Sequence, residues 1–127
     1  MSWKKEISQI KLREKLAKQQ GGPEAVKLQH NKGRLTLRER IDLLLDKESF
    51  EEIGKVAGGA EYDDEGNLTS LTPANFILGF GKIDGQDVIV GGEDFTVKGG
   101  SPNAAGLRKS VYTCLLYTSD AADDDHC

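Results

Sequence analysis

Long apolar runs, cysteine and aromatic residues are all scarce in this 127-residue chain. No apolar run approaches the roughly 20 residues that a membrane-spanning helix needs. The opening "MSWKKEISQI" also lacks the apolar core of a secretion signal. No membrane association is expected, and the expected location is cytoplasmic. The two cysteines, Cys114 and Cys127, sit together at the C-terminal end, so they cannot staple a disulfide framework through the body of the domain. Trp3 is the only aromatic residue among the first forty. This argues against a basic module that stacks nucleobases on aromatic rings.

Charge is abundant, and it is divided unevenly. Residues 1–40 carry eleven Lys and Arg against four Asp and Glu, and the remainder carries six against seventeen. The formal net charge of −4 therefore hides a strongly dipolar chain. The length suits one domain with a core at the smaller end of what folds independently.

In "KKEISQIKLREKLAKQQGG", Trp3, Ile7, Ile10 and Ala17 recur at helical spacing, and a glycine pair follows. This predicts an amphipathic helix. Pro23 suits the first turn of a second helix ending near Gly33. Thr36 caps a third, with Glu39 as the other half of a capping box and Leu37, Ile41, Leu44 and Leu45 as its buried stripe. The glycine-rich and acidic stretch 55–73 shows no sustained period and reads as a loop.

After Pro73, two β-branched runs meet at Asp84-Gly85, a dipeptide that tolerates positive φ and predicts a hairpin. Phe76, Leu78 and Phe80 share one face of the first strand, which should be buried, with Val88 and Val90 as its match on the second. Ser101-Pro102 then reads as the cap and first turn of a last helix.

"GGEDFTVKGGS", from Gly91 to Ser101, has the look of a phosphate cradle. It fails the Walker pattern because Lys98 precedes Gly99 instead of following it. The earlier "GFGKIDG" has the wrong glycine spacing for a dinucleotide fingerprint. What remains is a glycine turn, Gly99-Gly100-Ser101, leading into a helix whose N–H groups can meet an anion. Lys32, Arg34, Arg38 and Arg40 form a basic cluster at a helix boundary, suited to phosphates. Arg38 and Arg40 lie two apart on a helix and do not face one ligand together, which leaves Lys32 and Arg34 as the first choices. His30 reads as solvated or capping a helix end.

"KGRLTLRERIDLLLDKESFEEIG" (residues 32–54), followed by "GFGKIDGQDVIVGGEDFTVKGGS" (79–101), resembles the N-terminal part of the carboxyltransferase β subunit of biotin-dependent acyl-CoA carboxylases, the group that includes propionyl-CoA and methylcrotonoyl-CoA carboxylases. The resemblance runs from about Ile7 to Thr113. It implies an α/β fold of the crotonase-like ββα type, here a helical N-terminal segment followed by a β-hairpin and a helix. It implies transfer of a carboxyl group from carboxybiotin to the α-carbon of a coenzyme A thioester. It also implies a biotin carboxylase and a biotin carboxyl carrier as partners, and a homo-oligomeric parent. Its enolate-stabilising loops have no match here, so no catalytic residue is expected in this chain. The expected coenzyme A contacts are Lys32, Arg34, Gly99, Gly100 and Ser101.

The tail "CLLYTSDAADDDHC" departs from the family pattern. Its first ten residues can be written in codons that coincide with a transposon-end adapter used in shotgun sequencing libraries, so residues 114–127 read as translated adapter. Asp123, Asp124, Asp125, His126 and Cys127 are then no metal site, since adjacent terminal residues fix no coordination geometry. The expected organisation is a basic helical segment (1–54), a loop (55–73), the start of the carboxyltransferase domain (74–113) and the tail. Two alternatives stand: the carboxyltransferase subunit of a sodium-pumping acyl-CoA decarboxylase, and a basic nucleic-acid-binding module.

Overall fold

The computed structural model describes residues 2–101 and 103–118. Three helices come first, α1 (Lys4–Lys18), α2 (Pro23–Asn31) and α3 (Leu37–Leu44). Strands β1 (Glu51–Ile53), β2 (Gly58–Tyr62), β3 (Leu68–Pro73), β4 (Phe76–Ile83) and β5 (Gln86–Glu93) follow, then a 3₁₀ turn at Lys98–Gly100 and helix α4 (Ala104–Thr118). The strands form an antiparallel sheet in the order β1-β4-β5 and a separate β2–β3 hairpin.

The β4–β5 turn is built as its dipeptide dictates. Asp84 and Gly85 take φ of 51° and 79°, the positive pair of a type I′ turn. Asp46 fastens the turn from outside, its two carboxylate oxygens accepting from the Asp84 N–H at 2.9 Å and the Gly85 N–H at 2.8 Å.

The hairpin's faces differ from the expectation. In the observed register Val88 lies opposite Gly81, Val90 opposite Gly79 and Ile77 opposite Gly92. Val88 and Val90 therefore share a face with Ile77, and not with Phe76, Leu78 and Phe80. That face packs on α3, where Ile41, Leu45 and Ile77 form a core flanked by Leu37, Phe50, Ile83, Val88 and Val90. Glycine makes the approach possible: a Cβ at Gly81 would come within 2.5 Å of Leu45 Cδ1, and one at Gly79 within 2.6 Å of Phe50 Cε1. On the other face Leu78 is fully buried and Phe76 is half-buried, whereas Phe80 is exposed. A strand covered on both sides shows no single buried period. Replacing Leu78 by Ala is expected to lower the unfolding free energy by about 2 to 5 kcal/mol. A urea titration showing a loss below about 1 kcal/mol would mean that the face beneath α4 is not packed.

Residues 55–73 are not a loop: they hold β2 and β3. Asp63 closes this hairpin, Oδ1 accepting from the N–H groups of Glu65 at 2.9 Å and Asn67 at 2.8 Å. Helix α1 lies against it, with Arg13 donating to the Tyr62 hydroxyl. The helix buries Ala17 alone, and Trp3, Ile7 and Ile10 stay exposed. On α3, Ile41 and Leu45 are buried as expected, but Leu44 faces solvent. Helix α4 takes its cap from Asn103, whose Oδ1 accepts from the Gly106 N–H at 2.7 Å, and not from Ser101. The helix continues through Cys114 to Thr118. Pro102 and the acidic cluster at 123–127 lie outside the described residues.

Candidate functional site: a cleft at the start of α3

A cleft of about 400 Å³ opens where the α2–α3 connection meets the segment after β5. Its lining includes Arg34 and Arg40 together with residues 92–96, among which Glu93 and Asp94 carry carboxylates. The lining follows from local chemistry. Gly33 turns the chain at φ 71°, and the Arg34 N–H returns to the Gln29 carbonyl at 3.0 Å, which ends α2 and aims the next residues across the cleft. Thr36 is buried at the α3 N-cap, its Oγ1 accepting from the Glu39 N–H at 3.3 Å. Its neighbours Leu35 and Leu37 give the cleft apolar walls.

Glu39 does only part of what a capping box asks. Its carboxylate accepts from the Thr36 hydroxyl at 3.2 Å and pairs with His30 Nε2 at 2.6 Å. His30 is thus a tie between α2 and α3. The His30 hydrogen bond, with a smaller contribution from Thr36, holds the Glu39 carboxyl below its ordinary value of 4.5. A depressed folded-state value means that the contribution to stability is present above the ordinary value and is lost as pH falls through the folded one. Glu39→Gln should therefore differ from the native chain in thermal midpoint near neutrality and converge with it on acidification below pH 4.5. A difference independent of pH would remove the carboxylate from the tie.

The arginines sort themselves by partner. Arg38 is withdrawn from the cleft into a bidentate pair with Glu52 of β1, at 2.9 and 3.0 Å, geometry that suits a guanidinium. Arg40 lines the cleft, as does Arg34. Sequence reasoning passed over Arg40, because only the non-local Glu52 decides which of Arg38 and Arg40 is left for a ligand. Lys32 is exposed at the end of α2, outside the cleft lining.

The glycine turn lies outside the cleft lining. Lys98, Gly99 and Gly100 take φ of 49°, 62° and 82°. The N–H groups of Gly100 and Ser101 donate to the carbonyls of Val97 at 3.0 Å and Lys98 at 3.1 Å. Those two donors serve the turn. Gly100 touches the cleft through Phe95: a Cβ there would come within 2.7 Å of the ring at Cδ1.

Asp94, the residue before Phe95, is 2% exposed. Its Oδ1 accepts from the Thr96 N–H at 2.9 Å and from the Thr96 hydroxyl at 2.6 Å. Thr96 Oγ1 in turn accepts from the Gly21 N–H at 2.9 Å, so the α1–α2 connection is tied to the same turn.

Comparison with known proteins gives a consistent picture. The family model described as "Carboxyl transferase domain" matches residues 28–126. The chain is 38% identical over 105 residues to the propionyl-CoA carboxylase beta chain of Roseobacter denitrificans, covering 81% of this chain and 20% of that one. It is 35% identical over 101 residues to the propionyl-CoA carboxylase carboxyltransferase subunit of Haloferax mediterranei, covering 80% and 20%. Among solved structures, the transcarboxylase 12S hexamer with methylmalonyl-coenzyme A bound superposes with a TM-score of 0.77 at 28% identity, covering 94% of this chain and 23% of that one. The chain thus spans about a fifth of the length of the curated relatives it matches. Its α/β architecture is that of the opening of the crotonase-like carboxyltransferase fold.

Proposed function

The chain belongs to the carboxyl transferase domain family, and we propose on that premise that its parent moves a carboxyl group from carboxybiotin to the α-carbon of an acyl-CoA, with part of the coenzyme A held in the cleft at the start of α3. The observation that carries this reading is the convergence of Arg34 and Arg40, from two segments, on one cleft with an apolar wall. Coenzyme A presents phosphates and a nucleobase together. Guanidinium groups present rigid paired donors to phosphate oxygens, and they keep their charge at any working pH. Lys32 extends the basic surface toward solvent, and Gly100, between Gly99 and Ser101, backs the Phe95 ring from outside the cleft lining.

We place biotin outside this cleft, because Arg34 and Arg40 suit an anion and a neutral cyclic urea makes no use of their charge. The biotin is carried by a partner, a biotin carboxyl carrier served by a biotin carboxylase, and it meets the acyl group in a part of the parent beyond this cleft. The parent works as a homo-oligomer in the cytoplasm, and residues 114–127 are adapter-derived. No helix among the described residues is long and apolar enough to cross a membrane.

The test uses the full-length parent with its biotinylated partner, ATP and labelled bicarbonate against a panel of acyl-CoA thioesters. Label should enter at least one thioester in a manner blocked by avidin. An absence of incorporation across the panel would overturn the reading.

A further inference from the structure

Lys109 reaches inward from α4 to the β1–β2 connection, on the opposite side of Asp94 from any use the cleft makes of it. Its stem lies over Gly54, where a Cβ would come within 3.5 Å of Lys109 Cε, and its Nζ donates to the Gly54 carbonyl at 3.3 Å. The side chain borders a chamber of about 10 Å³, which is room for about one water molecule. Ala17, Ala57, Pro73, Ala74, Phe76 and Ile77 give that chamber apolar walls. The charged groups around it are engaged elsewhere. Arg38 holds both oxygens of Glu52, Lys55 pairs with Glu14 at 3.3 Å, and Asp94 gives Oδ1 to Thr96. Among the described residues no carboxylate lies within ion-pair distance of Lys109.

An ammonium against apolar walls, with one neutral acceptor and no counter-ion, is disfavoured relative to the free amine. Burial holds Lys109 below its ordinary value of 10.5, outweighing Glu52, which acts to raise it, and the Arg38 charge adds to the depression. Lys82 is the opposite case: its Nζ donates to Asp87 at 2.7 Å, and that bond raises it. A free amine carries the lone pair of a nucleophile.

We propose that Lys109 is an N-acylation site for short-chain acyl-CoA thioesters. The Nζ lone pair attacks the thioester carbonyl carbon, the C–S bond breaks, and coenzyme A leaves as a thiolate that takes the proton released from nitrogen. The amide product needs no counter-ion, and its remaining N–H still serves the Gly54 carbonyl. The side chain is half-buried, so a reactant meets the amine from solvent, and the small chamber restricts the acyl group to a short one. The step needs neither the cleft nor biotin.

The test incubates the full-length parent with isotopically labelled acetyl-CoA near neutral pH, without ATP or the biotinylated partner, and quantifies acetyl-lysine at each site by peptide mass spectrometry. Lys109 should carry about fivefold more label than the exposed Lys4 and Lys5 of α1, an advantage in free base partly offset because nucleophilicity falls with basicity. The excess should vanish in urea, where the chamber is gone, and should shrink as pH rises toward 10.5, where an exposed amine also becomes free base. Label at Lys109 no greater than at Lys4 and Lys5 would overturn the proposal. So would an excess that persists in urea or stays constant with pH. Failure of the carboxyl-transfer reading is a separate result, since it would abolish avidin-sensitive incorporation and leave acetylation of Lys109 as it was.

Discussion

Replacing Arg34 and Arg40 together by Ala in the full-length parent should raise the acyl-CoA KM by about a hundredfold while kcat changes less than threefold. Each guanidinium removes a charge-assisted contact of about 1.5 to 3 kcal/mol, and exposure to solvent and salt places each near the lower end. The two together come to about 3 kcal/mol, about a hundredfold. The contacts lie on a remote part of the substrate and are made equally in the ground and transition states, so the loss falls on KM and not on turnover. Raising ionic strength should weaken the native enzyme toward the variant, because exposed charge pairs are screened. Arg38→Ala should behave differently. Its partner is Glu52, and a half-buried carboxylate left alone costs stability, so the variant should unfold earlier with its KM for folded enzyme little changed. Initial rates over a range of acyl-CoA concentrations decide the matter. An unchanged KM in the double variant would return both arginines to the solvated surface.

What was legible in the sequence was what depends on neighbours in the chain. Asp84-Gly85 announces its turn because two positive φ angles are demanded of two adjacent residues, and Thr36 announces the α3 cap because the bond spans three residues. The two blocks at 32–54 and 79–101 announced the family, which the comparisons bear out. What was hidden depends on distant partners. β2 is made of Gly58, Gly59 and Ala60, residues with little strand preference, and it exists because Asp63 closes the turn and α1 lies against the hairpin. β1 is three residues long and is held by pairing with β4.

The two-residue period found one face of β4 and missed the other, since Gly79 and Gly81 carry no side chain to mark the face that Leu45 and Phe50 close upon. The candidate site was half legible. Arg34 was identified, whereas Arg40 became visible only when Glu52 claimed Arg38.

The 127-residue chain on its own should transfer no carboxyl group, whereas the full-length parent, on the proposed function, should. Among the described residues β5 is an edge strand with no partner on its outer side, and an open edge of that length invites pairing with other chains. The outer face of α4 adds to the exposure: Leu107 and Val111 lie four residues apart and are 61% and 53% exposed, an apolar face that calls for a covering element. Association into larger species is therefore expected on concentration.

The proposed reading also places the chemistry outside these residues. Charge develops on the thioester oxygen as the enolate forms, and that oxygen needs aimed N–H donors. Removing even one such donor typically costs about a hundredfold to a thousandfold in rate. The two backbone donors of the glycine turn nearest the cleft, those of Gly100 and Ser101, are bound to Val97 and Lys98. With the whole donor set absent, the rate should not rise above the uncatalysed background. Purified chain mixed with a carboxybiotin donor and several acyl-CoA thioesters, beside the full-length parent as positive control, measures this directly. Label entering any thioester with the chain alone would show that the catalytic donors lie within these residues and would overturn their placement elsewhere in the parent.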